Sequence, residues 1–381
     1  MSLRPLTLLR ALVLLLLLAA TSAAAALEPF NRQVRVLLDV TSSLTVGATG
    51  PHSGSVDGVP RFSTAAALDW PVTAADGQLY VDGVRVGARL LLEADGSFLR
   101  VNGNRYRGSV RLVAEGDLIQ VVNVLDMESY LRGVVPSEMS ASWPMEALKA
   151  QAVAARSYTL TSLDPSASYD LCATVDCQVY RGVEVEHART DTAIAATAGV
   201  VVTYGGATAR TYYHADSGGM IASSQEVWGA ALPYLVARAD APTSTPHRAW
   251  VYRLDAAVVS ASMEAAGLAV GTVQSVRVVR LSESGRVVEL EVAGTAGARV
   301  VRGSQLTSMA RSWGLKSTRF SVQGGLTVRG DGWGHGVGMS QYGARALATN
   351  GSNYHDILAF YYPQTIVTAA PQAEPQRYIQ W

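Results

Sequence analysis

The sequence predicts an α+β fold, in which a mixed core domain with a long helix after a polar loop is flanked by β-rich N-terminal and inserted subdomains. Three observations predict it. Strand-like runs punctuated by Gly, Asp and Asn fill residues 33–122, a regular alanine-rich helix follows near residue 145, and a second strand-rich stretch begins after residue 250. Hydrophobic residues make up 49% of the 381 residues, which is enough to bury a substantial core.

Residues 1–26 are typical of an export signal. Arg4 and Arg10 supply positive charge, a Leu-rich run occupies residues 11–20, and small residues at 23–26 offer cleavage sites. We expect cleavage near Ala26 and an extracytoplasmic location, whether secreted, periplasmic or associated with the cell wall. An uncleaved anchor is the alternative, although the apolar run is short for a full span, and no later stretch predicts a membrane span.

Residues 27–118 predict a β-rich N-terminal region, because β-branched runs alternate with turn signals. The pairs Asp82-Gly83, Asp95-Gly96 and Asn102-Gly103 predict tight hairpin turns. The formal net charge of the chain is +0 and charged residues are only 16% of it, so nothing indicates a nucleic-acid surface.

Residues 119–250 predict the first segment of the core. Asp126 is a suitable N-cap for a short helix, a Pro/Ser-rich loop then holds Glu138, and a long helix follows to about Leu160 with Pro144 in its first turn. A loop acid held beside a rigid helix is suited to proton transfer to and from a substrate. We therefore single out Glu138 as a general acid and base.

Cys172 and Cys177 are the only cysteines, and both follow the export signal. Outside the cytoplasm such a pair favours a disulfide. Half of a zinc site is the alternative, with Asp170, Asp176 and His187 as the nearest further ligands. No second Cys or His pair occurs at ligand spacing, which favours the disulfide.

Residues 251–322 predict the inserted subdomain, 323–368 the second core segment and 369–381 a tail. A hairpin is expected around Ser284-Gly285. Glycines at every second position of residues 330–338 predict an extended strand with one bare face, which a backbone or a flat substrate could approach. Ser340 is a fair N-cap for a helix over residues 341–349 that ends at Asn350-Gly351.

Three other chemistries fit the polar residues less well. Residues 216–219 resemble the nucleophile segment of trypsin-like proteases, but Ala215 stands where that segment has glycine. A catalytic metal could use His187, His214 and His335, yet no helical His pair is present. A two-carboxylate glycosidase would need Glu128 or Glu146 beside Glu138, and helix-start roles explain both better.

Several segments together resemble the SpoIID/LytB family, which comprises stage II sporulation protein D and the amidase enhancers. The resemblance rests on residues 121–158, 170–182, 212–219, 228–235, 314–317 and 334–343, in the family's order. It covers roughly residues 106–363. Some relatives bind zinc through their cysteines with histidine help, but no histidine lies between the cysteines here or just before Cys172, which again favours the disulfide.

The resemblance implies a peptidoglycan lytic transglycosylase that cuts between N-acetylmuramic acid and N-acetylglucosamine and leaves a 1,6-anhydro end. Glu138, with its pKa raised by apolar neighbours, would protonate the leaving oxygen and then accept the proton of the sugar's own 6-hydroxyl. No cofactor or metal is expected. The residues expected to bind the glycan are Arg156, His214, Ser217, His335, Gln341 and Tyr342.

The expected partners are peptidoglycan glycan strands, with no nucleic acid and no membrane beyond the export signal. The enhancer branch of the family suggests an alternative, a non-catalytic wall-binding protein that enhances a partner N-acetylmuramoyl-L-alanine amidase. A third reading is an exported β-rich scaffold with a vestigial site.

Overall fold

The computed structural model describes residues 32–370. The predicted export signal at residues 1–26 and residues 371–381 of the predicted tail lie outside that range. Among the described residues, none of the helices has the length and apolar character needed to span a bilayer. The mixture of helices and sheets confirms the α+β class.

Twelve strands form the N-terminal part as two antiparallel sheets that share one hydrophobic core. In chain order, β1 to β12, they are Gln33–Thr41, Ser43–Ala48, His52–Val56, Val59–Thr64, Leu68–Ala75, Gln78–Val81, Val84–Gly87, Arg89–Ala94, Leu99–Val101, Asn104–Tyr106, Ser109–Glu115 and Leu118–Asp126. Strand β12 pairs with both β1 and β11. The boundary that we expected between the N-terminal region and the core, at residues 118 and 119, therefore falls inside the β11–β12 hairpin. The N-terminal sheet thus runs directly into the core.

Two of the three Asp-Gly or Asn-Gly turns predicted in the N-terminal region are hairpin turns. Asp82-Gly83 and Asn102-Gly103 have positive φ at both residues (52° and 75°, 49° and 83°), as a type I′ turn requires. They connect β6 to β7 and β9 to β10 in antiparallel register. The predicted hairpins at these two positions are confirmed. The hairpin predicted at Asp95-Gly96 is wrong, because this turn connects β8 to β9, which lie in different sheets.

Helices build the core domain around the almost fully buried helix Met145–Leu160. The others are Met127–Glu138, Ala188–Ala196, Ser224–Trp228, Gln341–Thr349 and Tyr354–Tyr361, with a 3-10 turn at Gly182–Val185. Short strands complete the domain at Leu171–Cys172, Val200–Tyr204, Ala207–Thr208, Tyr213–His214, Met220–Ile221, Arg238–Ala239, Met339–Ser340 and Ile366–Ala369. Alanines 147, 150, 152, 154 and 155 are fully buried, since small side chains allow neighbouring elements to approach the central helix closely.

Glu138 does not lie in a loop, as the sequence predicted, but is the last residue of the helix Met127–Glu138. Asp126 caps this helix, as expected, by accepting a hydrogen bond from the Ser129 backbone. The sequence-based reading ended the helix early because Pro136 lacks an N–H and usually breaks a helix. Here Val134 and Val135 are fully buried, and their packing offsets the lost hydrogen bond.

The insert, residues 250–330, has a hydrophobic core of its own. Its strands are Trp250–Arg253, Val273–Leu281, Val287–Gly294, Gly297–Arg302, Phe320–Gly324 and Thr327–Gly330, and its helices are Ala256–Ala265 and Gly303–Ser312. The hairpin predicted around Ser284-Gly285 is present between the second and third of these strands. The insert returns to the core through a glycine-rich segment, residues 330–338.

The glycine-rich segment is not the extended strand that the sequence predicted. Its glycines at positions 332, 334, 336 and 338 all have positive φ, so the chain zigzags instead of lying flat. The spacing reflects close approach by the core: a Cβ on Gly334 would lie 2.8 Å from the Cβ of His214, and one on Gly338 would lie 2.0 Å from the Tyr212 carbonyl oxygen. The predicted helix Gln341–Thr349 follows, and Ser340 caps it.

Candidate active site

A cleft of about 330 Å³ opens at the junction of the core helices, the disulfide loop (residues 172–177) and the glycine-rich segment. Its lining combines one glutamate and one aspartate with two histidines and several aromatic rings. The residues that line it are Glu138, Tyr158, Val175, Asp176, Cys177, Val179, Tyr212, Tyr213, His214, Ala215, Trp228, Trp333, Gly334, His335 and Gln341. Residues from both segments of the core therefore meet at one surface.

The Glu138 carboxyl is held by two neutral donors. The Val179 backbone N–H donates to Oε1 at 2.9 Å, and the Gln341 side-chain amide donates to Oε2 at 3.2 Å. Among residues 32–370, no Lys, Arg or His forms an ion pair with it. The group is thus fixed in position without being neutralised by a cation.

Burial raises the pKa of Glu138 above its ordinary value of 4.5. The two hydrogen bonds and the more distant charge of Arg181 act in the opposite direction, but burial is the largest effect. A carboxyl in this state keeps its proton at higher pH than a solvated one does. That property is what a general acid requires near neutral pH.

His214 and His335 face each other across the cleft floor, with ring centroids 5.5 Å apart. Burial lowers the pKa of His335 to about 4 and that of His214 well below its ordinary value, so both imidazoles are neutral at pH 7. His214 Nδ1 donates to the Val337 carbonyl at 3.1 Å, which leaves Nε2 as an acceptor with no protein partner among the described residues. That nitrogen is itself buried, so it is an unsatisfied polar atom of the interior.

Aromatic rings form two walls of the cleft. On one side Tyr212 lies 4.3 Å from Trp228, and Trp228 lies 5.1 Å from His335, measured between ring centroids. On the other side Trp333 packs edge-on against His247 at 4.8 Å. Trp228 and Trp333 are 39% and 49% exposed although they are large and apolar, so part of each ring is open to a ligand.

The disulfide loop forms the third side. Of the two alternatives that the sequence left open for the cysteines, the structure has the disulfide, with a Cα–Cα distance of 5.5 Å. The loop leads within two residues to Val179, whose N–H contacts Glu138. Asp176 on this loop pairs with Arg311 of the insert at 2.7 Å, and both side chains are more than half exposed.

Three of the expected glycan-binding residues are absent from the cleft lining. Arg156 is fully buried, with Nη2 2.6 Å from Glu128, and Ser217 is buried with its hydroxyl donated to Asp240. Tyr342 packs between the rings of Trp143 and His247. Arg156 was misplaced because helical spacing gives the face of a residue but not which partner covers it. Glu138, His214, His335 and Gln341 are brought together as expected.

Several lining residues were not identified as site residues from the sequence. The Val179 N–H carries no sequence signal, because every residue except proline has one. Trp228 and Trp333 could have been found as large aromatics beside turn-forming residues, a pattern that often places a ring on a binding surface.

The serine and the carboxylates that the sequence suggested for competing chemistries lie outside the cleft lining. The Asp216 and Ser217 side chains are buried in local contacts, Asp216 with the Gly218 N–H and Ser217 with Asp240. Glu146 is paired with Lys149 at 2.7 Å, and neither it nor Glu128 lines the cleft. Within residues 32–370, no three His, Cys, Asp or Glu side chains are grouped so as to hold a metal ion.

Comparisons with known proteins agree with this architecture. Residues 115–204 match the family model described as stage II sporulation protein, and residues 249–338 match a domain of unknown function. An uncharacterized protein of Brachyspira hyodysenteriae is 30% identical over 333 residues, which cover 86% of this chain and 90% of that protein.

Two relatives with functional names come from Bacillus subtilis. The amidase enhancer is 32% identical over 63% of this chain, but the match covers only 40% of that protein. Stage II sporulation protein D is 27% identical over 66% of this chain and 77% of its own length. The stage II sporulation protein model ends at residue 204, so the insert and the second core segment lie beyond it, and the insert falls within the domain of unknown function.

Proposed function

This chain belongs to the SpoIID/LytB family, and we propose that within it the protein is an exported peptidoglycan lytic transglycosylase with Glu138 as general acid and base. Membership of the family supports a cell-wall-related role. The observation that carries the transglycosylase proposal is the Glu138 carboxyl: it faces a cleft, has a raised pKa and has no cationic partner among the described residues.

The reaction balances on one carboxyl group. Protonated Glu138 gives its proton to the oxygen that links N-acetylmuramic acid to N-acetylglucosamine, and the bond from the anomeric carbon to that oxygen breaks. The muramic 6-hydroxyl oxygen then bonds to the anomeric carbon and its proton passes to the Glu138 carboxylate. The products are a 1,6-anhydro end and a free 4-hydroxyl, and Glu138 is protonated again.

The rest of the cleft fits a glycan. The exposed parts of the Trp228 and Trp333 rings suit the apolar faces of sugar rings. Gln341 contacts Glu138 and thereby holds the acid in place from the helix that follows the glycine-rich segment. Truncating either tryptophan to alanine should weaken glycan binding about five- to tenfold, the effect of losing roughly 1 kcal/mol of stacking.

The proposal is tested by incubating the purified protein with peptide-free glycan strands and analysing the products by mass spectrometry. Anhydro-muramic ends are expected from the wild type and not from Glu138→Gln. Glu146→Gln is the matched control, because Glu146 lies in the first turn of the next helix and outside the cleft. Anhydro products from Glu138→Gln would remove the mechanism.

The alternative is a wall-binding protein that enhances a partner amidase, which the name of the Bacillus subtilis relative favours. It needs the cleft but not the proton transfer. Glycan binding without product, together with equal stimulation of an added N-acetylmuramoyl-L-alanine amidase by wild type and Glu138→Gln, would establish this function instead.

A further inference from the structure

One arginine of the insert extends its side chain into the core domain, beside the cleft. Arg286 follows the Ser284-Gly285 turn and is only 1% exposed, although it is among the largest side chains in the protein. Its Nη1 donates to the Met220 carbonyl at 2.9 Å, and its Nη2 donates to the Ser217 carbonyl at 2.8 Å. Both carbonyls belong to the core turn, residues 216–220.

The guanidinium also fixes the glycine-rich segment. A Cβ on Gly336 would lie 2.1 Å from Nη2 and 2.2 Å from Cζ of Arg286, so residue 336 must be glycine while the arginine is present. Gly336 stands between His335 and Val337, and its carbonyl accepts a hydrogen bond from the Ala222 N–H at 2.8 Å. The segment carrying His335 is therefore clamped between the core turn and Arg286.

Burying this charge is costly, which argues against a role in packing alone. Within residues 32–370 no carboxylate forms an ion pair with Arg286, and its Nε has no hydrogen-bond partner. Burial lowers the pKa of Arg286 to about 10, while the more distant carboxylates of Glu226, Asp216 and Asp240 act in the opposite direction. An apolar side chain would fill the same space without that penalty.

We propose that Arg286 is a positioning residue of the active site, through which the insert fixes the segment that carries His335 against His214. The insert, whose family has no assigned function, is then an obligatory part of the cleft. The effect on glycan cleavage rests on the function proposed above, whereas the effect on the pKa values of the two imidazoles does not.

The charge of Arg286 gives the clamp a measurable signature. After burial, Arg286 is the largest influence that lowers the pKa of His335, and it also lowers that of His214. Besides Arg286, one titratable group acts on these imidazoles: His335 lowers the pKa of His214. Hydrogen bonds with the Val337 and Tyr213 backbone act in the opposite direction. Removing the arginine should therefore raise the pKa of both imidazoles.

The experiment compares Arg286→Gln with Arg277→Gln. Arg277 lies on the same hairpin, but it is exposed and paired only with Glu291, so its loss is a matched control. Imidazole titration by NMR should show the pKa of His335 higher in Arg286→Gln and unchanged in Arg277→Gln. For cleavage we expect kcat about ten- to a hundredfold lower in Arg286→Gln, with KM within threefold and the acid limb moved to higher pH.

Unchanged imidazole titration and unchanged kcat in a folded Arg286→Gln protein would overturn the inference. If that variant does not fold, Arg286→Lys decides, because it keeps the charge but cannot reach both carbonyls with a planar fork. It should keep the imidazole titration and lose about tenfold in kcat, and wild-type kcat would overturn the inference. If the wild type itself does not cleave glycan, the proposed function fails and the imidazole titration still tests the clamp.

Discussion

Glu128 and Glu138 lie in the first and last turns of the same helix, yet the protein treats them in opposite ways. Glu128 accepts two hydrogen bonds from Arg156, at 2.8 and 2.6 Å, and a third from the Gly199 N–H at 3.3 Å. Glu138 receives only two neutral donors and faces a cleft. The difference teaches that a neutralising cation makes a carboxylate structural, whereas burial without one leaves a proton available.

The largest expected effect is on cleavage. Glu138→Gln should lower kcat at least a thousandfold, since general acid–base catalysis contributes about 10²–10⁴-fold and one group carries both steps here. Glu128→Gln should lower the yield of folded protein but leave kcat per folded molecule within about tenfold. The measurement is product formation normalised to folded protein. Equal loss of kcat in the two variants would break the comparison.

The next effect is on stability. Arg156→Met leaves the Glu128 carboxylate without its partner beneath a fully packed helix, and should cost about 3 kcal/mol of unfolding free energy. Urea denaturation followed by circular dichroism measures it. Arg277→Gln, which breaks an exposed pair, should cost less than about 1 kcal/mol. Similar midpoints for the two variants would show that the Glu128–Arg156 pair is not structural.

The two glutamates also show what the sequence could and could not reveal. The Asp126 N-cap, the Ser340 cap and the hairpin turns at Asp82-Gly83, Asn102-Gly103 and Ser284-Gly285 depend on local chemistry, and they were predicted correctly. The pairing of Arg156 with Glu128 joins residues 28 apart, and the contact of Gln341 with Glu138 joins residues 203 apart. Such contacts depend on tertiary packing, so Arg156 was placed in the cleft and Arg286 was not singled out.

The irregular positive-φ path of the glycine-rich segment was missed for the same reason. Regular alternation of glycine suggested an extended strand, whereas each glycine is required by a different neighbour: Gly334 by His214, Gly336 by Arg286 and Gly338 by the Tyr212 carbonyl. Those neighbours come from two separate parts of the chain. The alternating glycines therefore indicated that other parts of the chain approach this segment closely, but they did not indicate which parts.

A smaller effect sharpens the comparison through pH. Because the pKa of Glu138 is raised in the folded state, the folded protein binds this proton more tightly than the unfolded chain does. Stability from this group is greatest below the unfolded pKa of 4.5 and falls as pH rises through the folded value. Glu138→Gln removes that loss, so its Tm relative to wild type should be higher at pH 7 than at pH 4. The opposite trend would mean that the carboxyl is stabilised in its charged form.

The smallest effect concerns the other carboxylate at the cleft. Asp176 is exposed and paired with Arg311, so like Glu128 it has a cation, and unlike Glu138 it is solvated. Asp176→Asn should change kcat less than about threefold and leave the 1,6-anhydro product unchanged, because an exposed pair contributes little. Loss of activity as complete as in Glu138→Gln, with reducing ends among the residual products, would instead indicate a two-carboxylate hydrolase. In that case the presence of a cationic partner at Asp176 and its absence at Glu138 would no longer explain which carboxylate takes part in the reaction.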